Sequence, residues 1–210
     1  MAAGASTTSP PPTSGPAWEI AELFPDQGDL SESDYLTLTE HTNRMAEFTD
    51  GRIEVLPMPT WDHQEILLYL ITVLRAFIKP QKLGLAIMAP YRVKISERRY
   101  REPDIVFVLQ ANAAQITNRL GYGADLVMEV VSQDDPNRDL VVKRQDYAEA
   151  GISEYWIVDP RTNSITALRL ENGQYVIHSE AKETGTVRSA LLNDFEVDVS
   201  AVFAAGRTAS

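Results

Sequence analysis

The chain has no cysteine. Disulfide frameworks, thiolate metal sites and cysteine nucleophiles are therefore excluded, and the composition fits a reducing compartment, so the expected location is cytoplasmic. Histidine is scarce too: the three, at positions 41, 63 and 178, are scattered and nowhere stand at zinc-ligand spacing. A metal would be held mainly by oxygen, which favours Mg2+ or Mn2+. No stretch approaches the ~20 apolar residues of a membrane-spanning helix, so no membrane partner is expected. From Met1 to Pro16 there is no charged side chain at all. That segment of small residues and proline lacks both the basic and the apolar region of a secretory signal, and reads as a disordered tail. Positive charge is the last shortage. With 19 Lys and Arg against 30 Asp and Glu, the net charge of -11 argues against strong, indiscriminate binding to nucleic acid.

What is present suits one globular core. A chain of 210 residues, 44% of them hydrophobic, is long enough for a good core and short for two. We therefore expect a single domain over 17–204 and a flexible C-terminus over 205–210. Ser31-Glu-Ser-Asp34 has the spacing of a helix start. Asp50-Gly51 marks a type I′ hairpin between Phe48 and Ile53. From Trp61 to Lys79, apolar residues recur at three-and-four spacing, which predicts a long amphipathic helix capped by Thr60 and stopped by Pro80. Strands are expected at Leu85 to Met88, Tyr91 to Ile95, Asp104 to Leu109 and Leu126 to Val131. The last two are nearly continuous apolar runs, as in strands covered on both faces. A helix opens at Asp135-Pro136 and ends at Gly151, a strand follows at Tyr155 to Val158, and Asn172-Gly173 marks a second hairpin. The order implies an α/β or α+β fold, a mixed sheet flanked by helices.

Two carboxylates interrupt the driest strands. Period two places Glu129 on one face with Val127 and Val131, and Asp104 stands at the start of the preceding strand, directly after Pro103. An unpaired buried charge costs several kcal/mol, so each needs a metal, a cation or a proton. Two carboxylates entering one sheet suggest a shared divalent ion. The alternative is that Glu129 pairs with a core Arg or Lys and Asp104 only begins its strand.

The wider pattern is more specific. Arg101-Glu-Pro-Asp104, Asp125-Leu-Val-Met-Glu-Val-Val-Ser132, Arg138-Asp-Leu-Val-Val-Lys143-Arg-Gln-Asp-Tyr147 and Gly151-Ile-Ser-Glu-Tyr-Trp-Ile-Val-Asp-Pro160 resemble the successive motifs of the Uma-two family of restriction-endonuclease-like proteins, within the PD-(D/E)XK nuclease superfamily. The resemblance takes in Glu47-Phe-Thr-Asp-Gly51 and His63 and runs from about Ser31 to Phe203. It implies a restriction-endonuclease-like fold and a Mg2+- or Mn2+-dependent DNA endonuclease, with Asp104, Glu129 and the Val130 carbonyl as metal ligands. One departure matters. A Glu-x-Lys arrangement would put the lysine at position 131, where this chain has Val131. Lys143, four residues from both Asp139 and Tyr147 on the next helix, resembles the relocated lysine of some superfamily branches. Its other reading is an ordinary surface pair with Asp139. Glu47 matches an acidic position before the first hairpin and serves either as a supporting or second-metal carboxylate or as a solvated hairpin charge. His63 reads as a capping or packing residue in preference to a base, and Gln145, Trp156 and Asp159 as structural, with Trp156 filling core beside Tyr155.

Arg92, Lys94, Arg98, Arg99 and Arg101 form a basic cluster that either guides a phosphate backbone toward Asp104 or is a solvated hairpin tip. A nuclease cutting both strands of DNA would gain from a homodimer. The acidic balance and the missing in-strand lysine support a rival: a non-catalytic oligomeric or nucleic-acid-binding protein of the same fold.

Overall fold

A computed structural model describes residues 27–40 and 45–207. The expected tail, 1–16, and the last three residues, 208–210, lie outside the described residues. The elements are α1 (Glu32–Glu40), β1 (Ala46–Thr49), β2 (Arg52–Val55), α2 (Trp61–Gln81), β3 (Gly84–Met88), β4 (Arg92–Ser96), β5 (Arg99–Arg101), β6 (Ile105–Leu109), β7 (Leu120–Gly121) and β8 (Leu126–Val130). There follow α3 (Lys143–Glu149), β9 (Glu154–Asp159), β10 (Ser164–Glu171), β11 (Gln174–Lys182), β12 (Thr186–Arg188), β13 (Glu196–Asp198) and α4 (Val199–Ala205).

A six-stranded sheet of order β11-β10-β9-β8-β6-β3 forms the centre, antiparallel except where β8 runs parallel to β9. A five-stranded sheet, β2-β1-β5-β4-β7, lies beside it, and β12 and β13 pair separately. This is the mixed α+β architecture expected from the sequence.

The two-residue period sorts the centre into two faces. Phe107, Met128 and Trp156 join the core built with Ile66, Leu67, Leu70, Ile71, Leu74 and Ile78 of α2. Burying each such aliphatic side chain stabilises by about 1.5–3 kcal/mol, which holds the long helix on the sheet. Val127, Val131 and Tyr155 join Tyr147 of α3 on the opposite face. Every residue of β8 is buried, which explains its continuous apolar run. Trp156 and its neighbour Tyr155 both fill core, as expected, on opposite faces of the sheet.

Local signals account for most boundaries. Ser31 and Asp34 cap α1 reciprocally, Ser31 N–H donating to Asp34 Oδ2 at 2.8 Å and Asp34 N–H to Ser31 Oγ at 3.1 Å. Asp50 and Gly51 both have positive φ, 47° and 88°, as do Asn172 and Gly173 at 50° and 79°, the signature of type I′ turns. Thr60 caps α2 as expected. Pro80, however, does not stop it: the helix runs to Gln81 and ends where Lys82 turns left-handed and donates to the Ile78 and Lys79 carbonyls. The helix opening at Pro136 is not regular either, because Arg138–Val142 is a π-helical turn that leads directly into α3.

Candidate active site

The geometry begins with the β6–β8 register. Ile105 pairs with Met128, so Asp104 stands opposite Glu129 and Pro103 opposite Val130. Both carboxylates enter the face covered by α3. Asp104 Oδ2 accepts the Val130 N–H at 2.8 Å, and Asp104 N–H lies 3.4 Å from Glu129 Oε2. In an antiparallel ladder a residue's N–H and C=O face the same neighbour. Pro103 has no N–H to give, so the Val130 carbonyl has no ladder donor from that side.

The following helix supplies the cation. Lys143 Nζ lies 2.9 Å from Glu129 Oε2, 3.1 Å from Asp139 Oδ1 and 3.9 Å from Glu47 Oε1. One turn on, the Tyr147 hydroxyl donates to Glu129 Oε1. Lys143 is 5% exposed and Asp139 4%, which rules out a solvated surface pair.

Glu47 is equally deep. Arg138 donates to its Oε2 at 2.6 Å, Arg101 at 3.2 Å, and the Glu102 N–H donates to Oε1 at 3.1 Å. Arg138 also reaches Glu54 at 2.6 Å, and Arg101 is clasped by Asp146. Glu47 is therefore neither a solvated hairpin charge nor open to a second metal. It is the anchor on which two guanidinium groups converge. From the first turn of α2, His63 Nε2 approaches Asp104 Oδ2 at 3.2 Å.

Charge is unevenly compensated here. Burial pushes the Glu129 carboxyl up to about 8, against the pull of Lys143, and the Asp104 and Asp139 carboxylates push the same way. Burial alone would lower the Lys143 ammonium, but Glu129, Glu47, Asp139 and Asp104 hold it well above its ordinary value. For Glu47 burial is overcome by Lys143, Arg138 and Arg101, which bring it down to about 2. Burial raises the Glu102 carboxyl to about 7, against the pull of Arg92 and a backbone hydrogen bond from Ala46, with Glu47 pushing the same way as burial. Around Glu129, three carboxylates thus share one ammonium.

A divalent cation would relieve that deficit, and the donors present fit one. Among the described residues, no three His, Asp or Glu side chains group to hold a metal by themselves. Asp104 and Glu129 do adjoin, with Val130 in the same cleft lining, and Mg2+ commonly binds through one or two carboxylates while keeping several waters. Asp104 Oδ1 accepts no hydrogen bond among the described residues, so it has lone pairs to offer. These groups line one cleft of about 470 Å3, together with His63 and Arg138.

A family model described as "Putative restriction endonuclease", Uma2, matches residues 32–200. The chain belongs to the Uma2 family. A crystal structure of a protein described as a putative nuclease belonging to DUF820, from Anabaena variabilis, has the same fold: TM-score 0.73 at 18% identity, over 85% of this chain and 99% of that one. No curated protein matches the chain.

In this Uma2 chain the structure brings together Asp104, Glu129, Val130, Lys143 and Glu47. The basic cluster, by contrast, does not form a free phosphate guide. Lys94 pairs with Glu32 at 2.8 Å, Arg99 with Glu149 at 2.6 Å and Asp146 at 3.0 Å, and Arg98 and Arg92 each stand 3.9 Å from a carboxylate. Arg101 is buried. Four neighbours of the site carry no site role in the sequence alone. Tyr147 and Arg138 lie within quoted motifs, and their reach follows from helix spacing. Glu102 and His63 depend on contacts that no local spacing encodes.

Proposed function

We propose that this Uma2 chain is a Mg2+- or Mn2+-dependent DNA endonuclease that hydrolyses phosphodiester bonds in the Asp104–Glu129 cleft. The carrying observation is the buried Lys143 ammonium 2.9 Å from Glu129, which supplies from α3 the cation that the chain lacks at Val131, directly after β8. Asp104, Glu129 and the Val130 carbonyl would hold the ion. When bound, it supplies charge neutralisation at the scissile phosphate and a more acidic water. Tyr147 fixes one oxygen of Glu129 and Lys143 the other, so the carboxylate is held before substrate arrives. Asp139 keeps Lys143 pointed at the cleft floor. There its fixed charge opposes negative charge developing on the phosphate, an effect strong where water is excluded. Glu47 aligns Arg138 at the rim. We expect a cytoplasmic homodimer, since two-fold related sites suit cleavage of both strands.

The rival, a non-catalytic binding protein of this fold, is favoured by one observation: the cleft is also lined by Glu54, Asp62, Asp134 and Asp135. Cleavage assays separate the two. The parent chain is expected to cut duplex or single-stranded DNA with Mg2+ or Mn2+ and to stop in EDTA, and Glu129→Ala to be inactive. Lys143→Ala should cut ~10²-fold more slowly or worse. Removing one partner of a buried pair costs about 3–5 kcal/mol, so its rate is read at a temperature where circular dichroism finds it folded. Cutting that persists in Glu129→Ala puts the active site elsewhere. No cutting by the parent on any DNA moves the binding reading to first place.

A further inference from the structure

We infer that His63 is a positioning residue for the metal site: by donating from Nε2 to Asp104 Oδ2 it turns the free oxygen of that carboxylate toward the cleft. The inference rests on the metal-site reading above and adds to it a residue from the other side of the sheet. Thr60 Oγ accepts the His63 N–H at 3.3 Å, which fixes the first turn of α2 and so the origin of the ring. The ring then spans 41 positions of sequence to reach Asp104 at 3.2 Å. A carboxylate oxygen can only accept, so Nε2 must carry the proton. Oδ2 thereby receives two donors, His63 and the Val130 N–H at 2.8 Å, and Oδ1 is left for the ion.

Two features argue that the residue is there for Asp104 and not for the core. First, its Nδ1 is buried without a hydrogen-bond partner among the described residues. Leaving a buried polar atom unsatisfied costs about 1–3 kcal/mol, so an apolar side chain would serve packing better. Second, the terminal torsion of an aspartate is broad and roughly two-fold, so a carboxylate with one donor swings easily. The second donor removes that freedom. Ligating carboxylates are held in this way in metal sites, and losing the outer partner typically lowers metal affinity about 10–100-fold.

Mn2+ affinity and spectra decide it, on the full chain. His63→Ala is expected to bind Mn2+ about 10–100-fold more weakly by calorimetry, while its melting temperature in EDTA stays at or above that of the parent. His63→Gln, whose amide can donate from nearly the same place, should recover much of the affinity. The pulsed electron paramagnetic resonance spectrum of Mn2+ on the parent should lack coupling to a histidine nitrogen. Parental affinity in His63→Ala overturns the inference and leaves the metal site standing. A nitrogen coupling that disappears in His63→Ala also overturns it, since His63 would then be a ligand. If the parent binds no Mn2+, the metal site falls and this role with it.

Discussion

Glu129 is the residue that bears the electrostatic cost of the site. Its carboxyl rises from an ordinary 4.5 to about 8 and that of Glu102 to about 7, chiefly because both are buried. A folded-state value above the unfolded one means that the folded protein binds more protons. The associated stability is complete below pH 4.5 and is lost as pH rises through 7 to 8. Glu47, held at about 2, acts oppositely: its contribution is present above pH 4.5 and is lost as pH falls through about 2. The metal-free protein is therefore expected to lose stability between about pH 5 and pH 8. Saturating Mg2+ should abolish most of that loss, and Glu102→Gln should flatten its part near neutrality. Urea titrations across this range, with and without Mg2+, provide the check; metal-free stability that climbs from pH 5 to pH 8 would refute the account.

The helix that carries Lys143 is shaped by its π-helical turn. In Arg138–Val142 the Lys143 N–H reaches back to the Arg138 carbonyl, five residues away, so one residue more than an α-turn is accommodated. This lets Arg138 meet Glu47 while Asp139 lies both 3.1 Å from Lys143 and within 3.3 Å of the Ser132 N–H. Val141 is 58% exposed, so deleting it removes the extra residue without opening the core. The deletion should restore a regular α-helix and swing Arg138 and Asp139 by about 100° relative to Lys143, one residue's turn of a 3.6-residue helix. We expect helical circular dichroism close to the parent but cleavage reduced ~10²-fold or more, as when an aligned electrostatic group is lost. Parental cleavage by the deletion variant would mean that the turn has no functional role. Elements like this mark where the sequence stops being legible. Asp104 and Glu129 could be read because carboxylates stand out in apolar strands of period two. Lys143 could be read because four-residue spacing puts it with Asp139 and Tyr147. The π turn has no such signature, and a periodic count passes over it. Pro80 misled because a proline in the last turn forfeits only one hydrogen bond, and Lys82 supplied the actual stop. His63 to Asp104 is a tertiary contact, invisible until α2 is packed on the sheet.

The whole molecule sets the terms on which a polyanion can approach. Its net charge is -11, and the sequence reading left open whether the run from Arg92 to Arg101 escaped that balance. The fold closes the question, because each cation in the run meets a carboxylate. Arg138, the guanidinium at the cleft, is itself shared between Glu47 and Glu54. Little counterion release is therefore available to drive DNA binding, and Glu54, Asp62, Asp134 and Asp135 would repel phosphates at the cleft. Under the proposed function, affinity would then come largely from divalent cations lodged between protein carboxylates and the backbone. In EDTA, binding of duplex DNA at 150 mM salt should be weaker than about 10 μM, in the weaker half of the ordinary non-specific range. The plot of log affinity against log salt should be shallow, with a slope no steeper than about -3, the release expected from some three phosphate contacts. Ca2+, in conditions where no cutting occurs, should tighten binding at least tenfold in the parent and leave Glu129→Ala nearly unchanged. Fluorescence anisotropy over a salt series measures all three quantities. Submicromolar binding in EDTA with a steep salt slope would mean that a basic surface exists outside the described residues or is created by assembly, and dependence on the cation would be confined to the chemical step.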